Sequence, residues 1–334
     1  HRHGGLSLGD CLALPPTAAA ACARDPALAE LDFRTAAFID TETSGLAGGT
    51  GTLVFLLGMG TFESSCSPPE SPQHTGRTAA LGQGELQGTR WNFVVRQFFA
   101  REPAGERAML HAAAAVLDRC TGLVSYNGRA FDLPLLNTRF ILNRQPPRLQ
   151  EAPHLDLLFP ARRLWRARIG SCALGNVEQE VLGLRRAEDD VPGWLIPSLY
   201  RQYLRSGDAR ELRRVFYHNL EDVLSLVTLA VRLCRLFVPA HTPSAPIGTN
   251  SSLEAHPQAA PGDGCWSFKL AHTPSAPLDE LLPIDRVSLG RSYEELGWAA
   301  ASETAYRRAL SAPLPPEVRA RALSRLSFLL KRQG

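Results

Sequence analysis

Asp40-Thr41-Glu42 closes the apolar run Ala36-Ala37-Phe38-Ile39, and no other stretch constrains the fold as much. The run reads as a strand. Alternate side chains of a strand point to opposite faces, so Asp40 and Glu42 share one face while Thr41 enters the other layer. Two carboxylates on one patch repel unless something positive lies between them, and a divalent cation with oxygen ligands is the usual solution. The plainer alternative is a solvated strand end running into a turn, because Ser44-Gly45 and the glycines at 48, 49 and 51 break structure.

Two later stretches bear on that choice. Tyr126-Asn127-Gly128-Arg129-Ala130-Phe131-Asp132 follows the short apolar run Leu123-Val124-Ser125 and leads into 133–140, whose apolar spacing suits a helix. Asp132 then sits in a first helical turn, where the helix dipole favours an acid; an N-cap role alone would account for it. His218-Asn219-Leu220-Glu221-Asp222 lies inside a long helical pattern over 211–236. Four residues apart, His218 and Asp222 occupy one helix face, which is also the spacing of an ordinary surface pair.

Together the three stretches give four acids in the order Asp, Glu, Asp, Asp, with a histidine one turn before the last. The motifs at Asp40-Thr41-Glu42, Asn127 to Asp132 and His218 to Asp222 resemble the three exonuclease motifs of the ribonuclease H-like superfamily, and most closely a YprB-type ribonuclease H-like domain. The likeness takes in Thr43-Ser44-Gly45-Leu46, Gly49-Thr50-Gly51-Thr52, Val95-Arg96-Gln97-Phe98-Phe99, His154-Leu155-Asp156-Leu157-Leu158 and Asp190-Val191-Pro192-Gly193, and spans 33–236. It implies an α/β fold: a mixed sheet flanked by helices, followed here by a linker and a small all-α tail. An antiparallel meander of strands at 33–40, 52–62 and 92–99, then alternating strand and helix from 103 onward, is consistent with it.

The expected organisation is an N-terminal extension at 1–32, the ribonuclease H-like domain at 33–238, a linker at 239–283 and a helical tail at 284–334. Residues 63–90, rich in Ser, Pro, Gly and Gln, read as a flexible loop inserted into a hairpin. The alanine-rich stretch at 18–23 reads as a short helix packed on the domain. The linker is dense in Pro, Ser and Ala and carries Ala-His-Thr-Pro-Ser-Ala-Pro twice, at 240–246 and 271–277. In the tail, Leu289-Gly290, Tyr293, Gly297, Ala301, Tyr306 and Ala309-Leu310 resemble one tetratricopeptide repeat, which cannot bury its own face and so implies a protein partner or a docking surface.

Composition excludes little by itself. Hydrophobic residues make up 44% of 334, enough for a core, and the net charge of +3 is too small to argue for nucleic acid. No apolar stretch approaches the roughly 20 residues that span a bilayer, so no membrane role is expected. Seven scattered cysteines without a Cys-x-x-Cys pair suit reduced thiols and a cytoplasmic location. The glycines at 48, 49 and 51 lack both the Lys-Ser/Thr ending of a P-loop and the dinucleotide-binding spacing, which argues against a nucleotide cofactor. Arg162, Arg163, Trp165, Arg166 and Arg168 either clamp a phosphate backbone and stack a base, or belong to a helix with Leu164 and Trp165 turned inward. Asp189 and Asp190 are an extra pair of cation ligands or, more plainly, an exposed acidic turn.

The chemistry implied by the resemblance is metal-dependent phosphodiester hydrolysis, a 3′→5′ exonuclease on DNA or RNA with two Mg²⁺ or Mn²⁺ ions about 3.5–4 Å apart. By the same resemblance Asp40 serves both ions, Glu42 and Asp222 the ion that activates water, and Asp132 an outer or second-ion role. Asn127, Arg162, Arg163, Trp165 and Arg166 would contact nucleic acid. His218 would orient or deprotonate the water. The commoner family patterns differ around this position, leaving Tyr217 as the rival, but helix geometry favours His218: four residues turn about 400°, nearly in line with Asp222, whereas Tyr217 falls about 140° away. A structure-specific endonuclease on the same fold, and a non-catalytic interaction protein using the tail, are the alternative functions.

Overall fold

The computed structural model describes residues 1–45, 51–65, 84–86, 89–146, 152–187, 190–238 and 277–333. It divides into two compact units, His1–Arg235 and Leu236–Gly334. The first opens with two short paired strands, β1 (Arg2–His3) and β2 (Leu6–Ser7), and the helix α1 (Pro16–Ala23). Four alanines and Cys22 of α1 are buried, so the alanine-rich stretch is a packed helix, and residues 1–32 lie in the same unit as the sheet.

A six-stranded sheet forms the centre of that unit. Its strands are β3 (Ala36–Thr43), β4 (Val54–Ser65), β5 (Gly84–Leu86), β6 (Thr89–Phe99), β7 (Gly122–Ser125) and, after the helices α2 (Glu106–Leu117) and α3 (Asp132–Leu142), β8 (His154–Asp156). They lie in the order β5-β6-β4-β3-β7-β8. The hairpin pairs are antiparallel, whereas β7 and β8 join parallel to β3, because a helix carries the chain back over the sheet before each. The fold is a mixed sheet flanked by helices, followed by an all-helical region.

Strand ends differ from the expectation. Strand β3 starts at Ala36 and runs three residues past Asp40, because its ladder with β4 continues from Asp40↔Gly58 to Thr43↔Val54 through a register shift after Glu42. The insertion expected at 63–90 is narrower: β4 and β6 pair out to Ser65↔Arg90, and β5 adds an edge strand on β6. Residues 66–83 and 87–88 of it, the glycines at 48 and 49, Asp189, and most of the 239–283 linker with its repeated heptad lie outside the described residues.

Helices then cover the two faces. Ala37 and Ile39 point to the face where Met109, Leu110 and Ala113 of α2 and Leu135, Leu136 and Phe140 of α3 form one buried cluster. The opposite face meets α7 (Leu212–Cys234), which follows α4 (Leu158–Ile169), α5 (Leu174–Val177) and α6 (Ile196–Ser206). The buried stripe of α7 runs through Leu212, Val215, Asn219, Asp222, Val223, Leu226 and Ala230. Three- and four-residue steps keep these positions on one face, so Asn219 and Asp222 enter the packed layer with the aliphatic residues.

In the second unit α8 (Pro283–Glu295), α9 (Ala299–Leu310) and α10 (Pro316–Gln333) follow one another with short connections. A Cβ at Gly290 would meet the Tyr306 ring at 2.8 Å, so glycine is what lets α8 and α9 close on each other. Ser302 Oγ donates to Gly290 O at 2.8 Å, and Arg325 of α10 and Tyr306 both donate to Glu294 Oε2 at 3.0 Å. No described helix is long and apolar enough to cross a membrane.

Candidate active site

The acids converge where β3 runs under α7. On β3, Glu42 is buried and Asp40 half-buried; on α7, Asp222 is buried and His218 half-buried. Among the described residues, Glu42, His218 and Asp222 form the group able to hold a metal ion, with donor atoms within 4.8 Å of one another. His218 Nε2 stands 3.6 Å from Asp222 Oδ2, as their four-residue spacing requires.

Asp40 enters through a different contact. Asn219, fully buried one residue after His218, donates from Nδ2 to Asp40 Oδ2 at 2.8 Å and accepts from Gln97 Nε2 at 2.9 Å, which fixes the amide's orientation. Gly58 faces Asp40 across the ladder, and a Cβ there would fall 2.2 Å from Asn219 Oδ1. Gly58→Ala is therefore expected to displace Asn219 and lose both hydrogen bonds, lowering stability by about 2 kcal/mol, read as a lower urea midpoint with an unchanged m-value.

Asp132 arrives from the other side of β3. It starts α3, is buried, and accepts a hydrogen bond from Thr41 Oγ1, the side chain that alternation sends away from Asp40 and Glu42. It stands outside the group of three and acts on it by charge.

Burial pushes the Asp40 carboxyl well above the usual carboxylate range, with the charges of Asp222, Glu42 and Asp132 adding to it and the bond from Asn219 opposing. Glu42 is also held well above its usual range, by burial and then by Asp222 and Asp132, against Arg186. Asp132 is pushed up to about 6 by burial despite the Thr41 hydroxyl. Burial raises Asp222, while Arg186 and His218 pull it down. Carboxylates crowded in this way fit a divalent cation, whose charge relieves both desolvation and repulsion, and oxygen donors with one imidazole suit Mg²⁺ or Mn²⁺.

Arg186, Asp190 and Asp156 complete the surroundings of the site. Arg186 donates from Nη2 to Asp222 Oδ1 and grips the buried Glu178 with Nε and Nη2, both at 2.7 Å. Its burial is outweighed by Glu178 and Asp222, so its affinity for its proton rises. Asp190 is no exposed turn: it is half-buried and its Oδ1 lies 3.0 Å from His218 Nδ1. Asp156 holds the Asn127 loop, accepting from the Asn127 amide at 2.8 Å and the Arg129 amide at 3.0 Å while Asn127 takes a positive φ of 64°.

The candidate nucleic-acid residues separate into two sets. Asn127, Arg162 and Arg166 line one hollow with Tyr126, Ser171 and Cys172, a lining that includes none of the acids above. Trp165 is buried, 1% exposed, so its ring is closed to base stacking; it shares the inward face of α4 with Leu158, Ala161 and Leu164. Arg163 is half-buried and donates to Cys22 O, which turns it toward α1 and away from the hollow.

Residues 70–234 match the family model described as the RNase H superfamily, a span that begins after Asp40 and Glu42 and includes Asp132, His218 and Asp222. The chain carries a ribonuclease H-like domain. The protein YprB of Bacillus subtilis (strain 168), itself uncharacterized, is 36% identical over 208 residues, which are 62% of this chain and 44% of YprB. The match thus spans less than half the length of that relative. Among solved structures, the family B DNA polymerase from the hyperthermophilic archaeon Pyrobaculum calidifontis aligns with a TM-score of 0.41 at 16% identity, over 60% of this chain and 25% of that one. Asp132, His218 and Asp222 thus lie within the matched span, while Asp40 and Glu42 come from β3 ahead of it.

Proposed function

We propose that the chain is a metal-dependent nuclease that hydrolyses nucleic-acid phosphodiester bonds as a 3′→5′ exonuclease. The observation that carries this reading is the gathering of Glu42, His218 and Asp222 within 4.8 Å on a buried acidic patch in a ribonuclease H-like fold. Bound there, a pair of Mg²⁺ or Mn²⁺ ions supplies charge stabilisation to the attacking and leaving oxygens of an in-line displacement. Asp40, Glu42 and Asp222 would hold the ions and Asp132 would add charge behind Thr41.

The chain's other residues set the geometry. Asn219 keeps Asp40 facing the patch. With Arg186 off Nδ1, Asp190 accepts the Nδ1–H of His218 and leaves Nε2 as the free nitrogen, the state needed to orient water or accept its proton. Arg162, Arg166 and Asn127 would receive phosphates of the incoming strand in their hollow.

End-labelled single-stranded DNA, duplex DNA and RNA, incubated with the full chain and Mn²⁺, Mg²⁺ or EDTA, test the reading. The expected result is metal-dependent loss of the 3′ nucleotide first, a ladder shortening from that end, and no cut in circular substrates. Cleavage of circles would move the activity to an endonuclease, and no turnover of any substrate in millimolar Mn²⁺ would end the enzymatic reading.

A further inference from the structure

We propose that Arg186 is a built-in cationic occupant of the acid cluster that competes with the divalent ion for Asp222 and thereby sets the metal affinity of the site. The inference rests on the metal-dependent reading above. It concerns a residue that none of the acid motifs contains.

Arg186 is delivered by a local chain reversal. The helix α5 passes into a π-helical turn, Glu178–Leu182, which ends at Gly183 with a positive φ of 65°, and Leu184 N–H returns to Glu178 O at 2.9 Å. The reversal brings Arg186 back beside Glu178, and the paired 2.7 Å bonds of Nε and Nη2 make a forked grip on that carboxylate. Glu178 is 2% exposed, so this grip is the part of the arrangement that desolvation makes costly to lose.

The other end of the guanidinium has a different character. Nη2 also reaches Asp222 Oδ1, while Nη1 reaches Asp190 Oδ2 at 3.3 Å and His218 Nδ1 at 2.9 Å. All five N–H donors are thus directed to acceptors, and two of the groups they meet, Asp222 and His218, belong to the metal-donor set. A second cation on Asp222 meets the guanidinium's charge across one carboxylate, so the two oppose each other in a poorly solvated site. Releasing Asp222 need not break the fork on Glu178, so Arg186 can yield the site while remaining anchored at its edge.

The same contact bears on His218. Nδ1 cannot both accept from Arg186 and donate to Asp190. With Arg186 on Nδ1 the ring proton belongs on Nε2, facing Asp222; with Arg186 withdrawn, Nδ1–H goes to Asp190 and the Nε2 lone pair is exposed to the cluster. Occupancy by Arg186 therefore opposes both a metal ion on Asp222 and the free Nε2 that His218 needs to act on water.

A structural ion pair would behave differently, since removing it would loosen the loop and weaken metal binding. Mn²⁺ titration of the metal-stripped full chain, followed by electron paramagnetic resonance of the free ion and without nucleic acid, separates the two. Arg186→Gln is expected to tighten Mn²⁺ binding by about tenfold. Because that variant leaves Glu178 buried and unpaired, the double variant Glu178→Gln with Arg186→Gln is measured beside it, with folding checked by circular dichroism, and is expected to bind more tightly than wild type as well. Unchanged or weaker binding in the folded double variant overturns the inference while leaving the metal reading intact. Absence of Mn²⁺ binding in every protein, wild type included, overturns both.

Discussion

Asp40→Asn is expected to abolish Mn²⁺-dependent phosphodiester cleavage while leaving the fold intact, with the metal-free protein at least as heat-stable as wild type. Asp40 lies at the meeting of the strand and helix that bring the acids together, and its carboxyl carries the repulsion of Asp222, Glu42 and Asp132 on top of burial. Asparagine keeps a carbonyl oxygen that can still accept from Asn219 Nδ2, so the link between β3 and α7 survives the change. The lost charge is the quantity that matters. Charge stabilisation by a held ion is worth several kcal/mol in the transition state, so turnover should fall by about 10³-fold or more. Removing one of the crowded carboxylates relieves repulsion in the absence of metal, and the melting temperature in EDTA should hold or rise. The counterpart is a lost response to metal: saturating Mn²⁺ should stabilise wild type by about 2.7 kcal/mol at one hundred times its dissociation constant, and the variant much less. Wild-type turnover in the purified, folded variant would end the two-ion reading.

What could be read from the chain, and what could not, follows from how local each feature is. Alternation along β3 placed Asp40 with Glu42 and sent Thr41 away, and the four-residue step on α7 placed His218 over Asp222; both follow from the geometry of a single element. Trp165 was legible in part: a helix with Leu164 and Trp165 turned inward was one of the two readings of that stretch, and Leu158 and Ala161 extend the same inward face. Asn219 had a signal in being, with Asp222, polar on a mostly aliphatic buried stripe, but its partner Asp40 is 179 residues away and the space it fills comes from Gly58 on a third element. Arg186 had none, and Asp190 stood between a cation ligand and an exposed acidic turn. They sit in an irregular charged segment whose composition reads as solvated, and the turn at Gly183 and the packing of buried Val191 bring them onto Asp222 and His218. Side chains presented by regular elements were predictable, whereas those presented by loops depended on where the loop docks.

His218→Ala is expected to lower kcat by about 10²- to 10⁴-fold at saturating Mn²⁺, the range for losing a general base, while Tyr217→Phe stays near wild type. The structure gives His218 three possible roles, and each leaves a separate trace. As the group that orients or deprotonates water, its loss should reduce kcat at every Mn²⁺ concentration, with the binding curve for Mn²⁺ largely preserved because Asp40, Glu42 and Asp222 remain. As a metal ligand alone, which its place within 4.8 Å of Glu42 and Asp222 allows, its loss should shift the Mn²⁺ curve and the rate should recover when the ion is raised. As a packing residue, its loss should lower the melting temperature while the rate per folded molecule stays at wild type. The first outcome is favoured by the contact to Asp190: a carboxylate 3.0 Å from Nδ1 holds the ring in place beside Asp222, an arrangement a packing residue does not need. Asp190→Asn should then reproduce part of the kcat loss, by about 10- to 100-fold, without moving the Mn²⁺ curve. A rate that collapses in Tyr217→Phe and survives in His218→Ala would transfer the role to the tyrosine, and the helix-phase argument that favours His218 would be wrong.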